Sequence, residues 1–111
     1  MDKPYRVVEA EGEIDKGLSY AQWQALEQAA VKTPEELYGI APQGRDLSFV
    51  GVRYSIFDKL DVGDSVFIPA AYGITHTQSA AAGKGRRSSM SLVSRKTFEG
   101  GKWGVRIFRL A

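Results

Sequence analysis

The chain has 111 residues, 43% of them apolar and 25% charged, with no cysteine, a single histidine at position 76 and a formal net charge of +2. That length suits one domain with one hydrophobic core, and the composition is that of an ordinary globular protein, which excludes a disordered chain and, with no apolar run near the ~20 residues of a spanning helix, a membrane span. The lack of cysteine excludes a disulfide framework, a thiolate nucleophile and a cysteine-ligated metal, and His76 leaves one base for any Ser-His-Asp arrangement, so the chain is not expected to be an enzyme and no cofactor or metal is expected.

Met1-Asp2-Lys3-Pro4-Tyr5 lacks the basic and apolar pattern of a secretory signal, so a cytoplasmic location is expected. The charge is divided along the chain. Residues 1–61 carry seven Lys/Arg against eleven Asp/Glu, a balance of −4, and residues 62–111 carry eight against two, a balance of +6. An asymmetry of this kind points to a polyanionic partner for the basic half.

In chain order, the β-leaning run Tyr5–Ile14 predicts an N-terminal strand. A helix is predicted over Leu18–Val31, with Ser19 as N-cap and Trp23, Leu26, Ala30 and Val31 forming its apolar face. Thr33-Pro34-Glu35-Glu36-Leu37-Tyr38-Gly39 has the signature of a short capped helical turn that Gly39 stops. Residues 41–46 are expected as a loop, and Leu47–Phe57 as a strand with a bulge at Gly51. A turn over Asp58–Asp61 follows.

In the second half, Val62–Pro69 predicts a turn and a short strand that Pro69 ends. Thr75 or Thr77 is a cap for a short helix through Gln78–Ala82, which Gly83 and Gly85 are expected to cut short or fray. Gly83–Ser89 is then a basic, flexible loop. Two strands, Met90–Phe98 and Trp103–Leu110, are joined by Glu99-Gly100-Gly101-Lys102, a Gly-Gly hairpin turn. The expected fold class is α+β: a mainly antiparallel sheet with one long and one short helix, the C-terminal half running β-α-β-β, in a single domain over 1–111.

The residues that carry chemistry are basic. Lys84, Arg86 and Arg87 in the glycine loop, Arg95 and Lys96 on the next strand, and Arg106 and Arg109 on the last are candidate nucleic-acid-binding residues. A hairpin would gather some of them on one face, and an array of cations displaces the counterions condensed on a phosphate backbone. The competing reading is solvated surface charge. Gly83-Lys84-Gly85-Arg86-Arg87 lacks the spacing of a phosphate-binding NTPase loop, so nucleotide hydrolysis is not supported.

Tyr72, His76, Phe98 and Trp103 are candidates for base stacking, with a core role for Phe98 and Trp103 favoured by their strand positions. Asp58, Asp61 and Asp64 are better explained as turn formers than as a metal or acid–base site. Glu9, Glu11 and Glu13 alternate along one strand and read as protection of a sheet edge.

Phe57-Asp58-Lys59-Leu60-Asp61-Val62-Gly63-Asp64-Ser65-Val66-Phe67-Ile68-Pro69, then Gly85-Arg86-Arg87-Ser88-Ser89-Met90 and Arg95, then Gly104-Val105-Arg106-Ile107-Phe108-Arg109, resembles a family of small uncharacterised phage and prophage proteins. The resemblance covers about half the chain. Ser88-Ser89-Met90 stands where the family has an aromatic, and the acidic half has no counterpart. The resemblance implies a phage or mobile-element origin, hence the host cell cytoplasm as location, and no inherited activity.

Two functions are expected on this basis. The first is nucleic-acid binding through the basic C-terminal surface, with DNA ahead of RNA. The alternative is a protein–protein inhibitor of a host or defence nucleoprotein complex, of the anti-CRISPR kind. Homodimer formation through edge strands is left open by the sequence, and no membrane partner is expected.

Overall fold

The structure is a computed structural model and describes residues 7–28, 39 and 51–111. In chain order these form β1 (Val7–Glu9), β2 (Glu13–Asp15), α1 (Tyr20–Gln28), β3 (Gly51–Arg53), a 3₁₀ helix at Ser55–Lys59, β4 (Ser65–Pro69), a 3₁₀ turn at Ala70–Tyr72, α2 (Ile74–Ser88), β5 (Leu92–Glu99) and β6 (Lys102–Arg109). Among the described residues the fold is α+β, with two α-helices and a mainly antiparallel sheet. Its C-terminal half runs strand, helix, strand, strand. The expected turn at 33–38, the loop at 41–46 and the first residues of the 47–57 strand lie outside the described residues. Gly39 has φ 89°, a left-handed backbone that suits the stop expected there.

The antiparallel sheet has the order β2-β4-β6-β5, and β1 pairs separately with β3 in parallel. The run expected as one strand over 5–14 is therefore two short strands in two sheets. Gly12 sits at the break, where a Cβ would overlap the Phe67 carbonyl and the Val66 side chain. A glycine there lets the chain cross β4 at backbone contact. Of the strand expected over 47–57, Gly51–Arg53 is extended with Gly51 in regular register opposite Val7, and Ser55–Lys59 turns into a 3₁₀ helix that buries Phe57.

Alternation along the strands gives the sheet two faces. Val66, Ile68, Val105 and Ile107 share one face, and all four are buried with Phe57, Leu60, Ile74 and Ala81 in the core. α2 packs across β5 and β6 on this side. Ser65, Phe67, Gly104, Arg106 and Phe108 lie on the other face, where Tyr20 and Trp23 of α1 reach Phe108, each at 5.2 Å between ring centroids. β6 is thus covered on both sides, and Gly104 to Phe108 are buried without a break.

α1 begins as predicted. Ser19 Oγ accepts from Gln22 N–H at 3.3 Å while Gln22 Oε1 accepts from Ser19 N–H at 3.0 Å, a reciprocal cap. Of the expected apolar face, Trp23 packs against the sheet and is joined there by Tyr20, Leu26 is 65% exposed, and Ala30 and Val31 lie outside the described residues. The β5–β6 hairpin closes through Gly100 (φ 58°) and Gly101 (φ 79°), two left-handed residues as a type I′ turn requires.

The largest departure is α2. The predicted short helix with a flexible basic loop is a single helix of 15 residues through Ser88. It starts after Gly73 rather than at a threonine cap, and Thr77 is buried with its hydroxyl 3.0 Å from the Tyr54 hydroxyl. Two glycines cost a helix about 1 kcal/mol each, yet both have tertiary uses here. A Cβ on Gly85 would stand 3.0 Å from the Met90 carbonyl, where Ser89 (φ 55°) reverses the chain and Met90 N–H returns to Gly85 O at 3.2 Å. Gly83 lies beneath arginine side chains, and packing of Ile74, Thr77 and Ala81 on the sheet outweighs the propensity loss.

Candidate functional site

The seven basic residues singled out from the sequence do not form one patch. Arg106 is 5% exposed and belongs to the interior. Its Nε donates to Glu99 Oε2 at 2.9 Å, its Nη2 to Glu99 Oε1 at 2.5 Å, and its Nη1 to Asp15 at 2.6 Å and Ser65 Oγ at 2.8 Å. Burial opposes its charge, and the hydrogen bonds it donates to Glu99 and Asp15 outweigh that, so its pKa stands above the ordinary value. A guanidinium so engaged is not a surface phosphate ligand, and Arg106 leaves the candidate set. The reason is the central position of β6, covered on both faces.

Arg109 is also committed to the fold. Its Nη1 donates to Leu60 O at 2.8 Å and its Nε to Ala111 O at 3.2 Å. Arg95 is exposed but stands on the α1 face, over the Tyr20 ring at 5.1 Å. Lys96, its neighbour, points to the opposite face with Val105.

What remains together is the end of α2. Arg86 and Arg87 are exposed and follow Gly83 by three and four residues, one helical turn. Arg87 Nη1 and Arg86 Nη2 lie 3.0 and 3.9 Å from the position a Cβ on Gly83 would occupy. The two guanidinium groups therefore converge over the glycine, at most about 7 Å apart, where like charges repel. Neither meets a carboxylate among the described residues. The helix C-terminus they flank offsets part of the repulsion through its partial negative charge.

One turn back, Lys84 pairs with Asp58 across a groove between α2 and the Ser55–Lys59 helix. Arg87 reaches the same groove, with Tyr54, His76 and Ala80. The Tyr54 ring stacks on Phe57 at 5.2 Å, and its hydroxyl lies 2.8 Å from His76 Nδ1. His76 is the third residue of α2 and is exposed. Phe98 and Trp103 pair edge to face at 5.5 Å, with Trp103 against the core.

The acidic residues act within the fold. Asp64 accepts from Gly17 N–H at 3.0 Å and from Lys16 Nζ at 2.8 Å, and Lys16 also meets Asp61 at 2.7 Å. These bonds tie the β2–α1 turn to the β4 turn. The Lys16 ammonium, then the Gly17 amide, hold the Asp64 carboxyl below its ordinary range, and Asp61 followed by Asp64 pushes Lys16 up to about 12. Glu9 accepts from Ser55 Oγ at 3.0 Å. Composition alone marked the basic residues; the convergence on Gly83 carried only the spacing G-x-x-R-R as a signal, legible once the segment is known to be helical.

No family model matches the chain, and neither a curated protein nor a solved structure does.

Proposed function

We propose that this protein is a nucleic-acid-binding module, of phage or mobile-element origin, that grips phosphates with Arg86 and Arg87 at the end of α2 and with Lys84 beside them. The observation that carries the reading is the convergence of two guanidinium groups on Gly83 without an acidic partner among the described residues. Holding two like charges together has a use when a polyanion supplies the compensating charge, and each neutralised phosphate then releases condensed counterions. The origin follows from the sequence resemblance, and DNA stands ahead of RNA as ligand.

Fluorescence anisotropy with labelled double-stranded DNA, single-stranded DNA and RNA tests this at low and near-physiological salt. Binding is expected to weaken steeply with salt and to be lost in Arg86→Ala/Arg87→Ala. Absence of binding to all three at low salt overturns the reading and moves the search to a protein partner, such as a host or defence complex.

A further inference from the structure

We infer that the phosphate gripped by Arg86 and Arg87 is a terminal monoester, so that the module binds the phosphorylated end of a nucleic-acid strand; this rests on the nucleic-acid reading above. The cationic site is compact. The two guanidinium groups stand at most about 7 Å apart over Gly83. Two charge-assisted hydrogen bonds of about 2.8 Å, one to each side of a single phosphate, bridge that gap. Ser88 and Ser89 follow at the same helix end, both exposed, and add hydroxyl donors.

The interior of a strand asks for a different arrangement. Its phosphodiesters carry one charge each and repeat along the backbone, so affinity for them grows with a row of cations. The described residues provide no such row at this end of α2. Lys84 is paired with Asp58, Arg109 serves Leu60 O, Arg95 stands on the α1 face of the sheet and Arg106 is buried. Lys96 lies about 13 Å along β5 from Leu92, the end of the strand nearest the arginines. A phosphate monoester carries a charge of about −1.5 to −2 near neutral pH on three acceptor oxygens, so one such group balances the pair. The two full charges outweigh the partial negative charge of the helix end, about half a unit, and the net attraction of a dianion is about twice that of a diester.

The test uses an oligothymidine strand ending in a 5′-phosphate, in the same phosphate methylated to a diester, or in a 5′-hydroxyl, with a matching 3′ series and the label at the opposite end. Wild type is expected to bind the monoester strand at least about tenfold tighter than the other two in one of the series, and Arg86→Ala/Arg87→Ala to lose that preference while circular dichroism shows the fold retained. In the unaltered protein, inorganic phosphate is expected to shift the side-chain Nε–H resonances of Arg86 and Arg87. Equal affinity for all three ends in both series, still lost in the double-arginine variant, overturns recognition of the end and leaves the phosphate-binding reading standing. A monoester preference that survives in the folded double-arginine variant, or arginine resonances unmoved by inorganic phosphate, overturns the assignment to this pair. Absence of binding to every strand at low salt overturns both readings.

Discussion

Arg95 and Arg106 stand directly opposite each other across the β5–β6 ladder. Like charges so placed repel, and the structure separates them by giving each its own partner. Arg106 turns to Glu99 and Asp15, while Arg95 lies over the Tyr20 ring. Glu99 also accepts from Trp23 Nε1 at 3.2 Å, so one carboxylate neutralises the buried cation and anchors α1.

Glu99→Gln is therefore expected to be costly. It leaves Arg106 buried with half its countercharge, and breaking a buried pair costs about 3 kcal/mol. Arg95→Ala removes an exposed cation–π contact and is expected to cost under about 1 kcal/mol. Urea denaturation of the two variants measures the contrast, and equal losses would refute the assignment.

Gly83→Ala separates stability from binding. The added methyl raises helix propensity by about 1 kcal/mol and meets the movable ends of Arg87 and Arg86. The expected outcome is a protein of equal or higher thermal midpoint whose affinity for nucleic acid falls, because the guanidinium pair is displaced. A variant that binds as wild type would show that the convergence on Gly83 has no part in binding.

Salt titration distinguishes the arginines. Arg86→Ala and Arg87→Ala are each expected to reduce the slope of log affinity against log salt by about 1. Arg109→Ala is expected to leave the slope unchanged and to lower stability, since its guanidinium serves Leu60 O and Ala111 O.

Asp64 gives the fold a dependence on acid. Its carboxyl is held below the ordinary value of 3.8, so its contribution is present above that pH and is lost as the pH falls through the depressed folded value. Asp64→Asn is expected to be less stable than wild type at neutral pH, with the gap closing below pH 3.8. Lys16 acts in the opposite sense, its contribution holding below 10.5 and fading as the pH rises through about 12. Denaturation midpoints across the pH range check both signs.

Two buried positions on neighbouring strands predict opposite effects. Thr97 is 3% exposed and its hydroxyl has no hydrogen-bond partner among the described residues, so Thr97→Val is expected to stabilise by about 1 kcal/mol. Gly104 faces it, and a Cβ there would overlap Ile68 O and the Phe67 ring, so Gly104→Ala is expected to cost about 3 kcal/mol. Thermal or urea unfolding of each variant decides the signs.

The sequence by itself determined the elements whose signals are local. Ser19 capped α1, Pro69 ended β4, Gly100-Gly101 closed the hairpin, and the order strand, helix, strand, strand followed, because caps and turns depend on backbone chemistry within a few residues. Tertiary structure alone decided where glycine and arginine serve. Gly12 marks a backbone crossing and Gly83 a seat for two guanidinium groups, and neither meaning exists without the neighbour that fills the missing Cβ. Arg86 and Arg106 are the same residue type in the same basic half, yet one is exposed at a helix end and the other is sealed in a central strand. Burial of a charge is set by which partners reach it, and Glu99 and Asp15 reach Arg106 only after the sheet has formed.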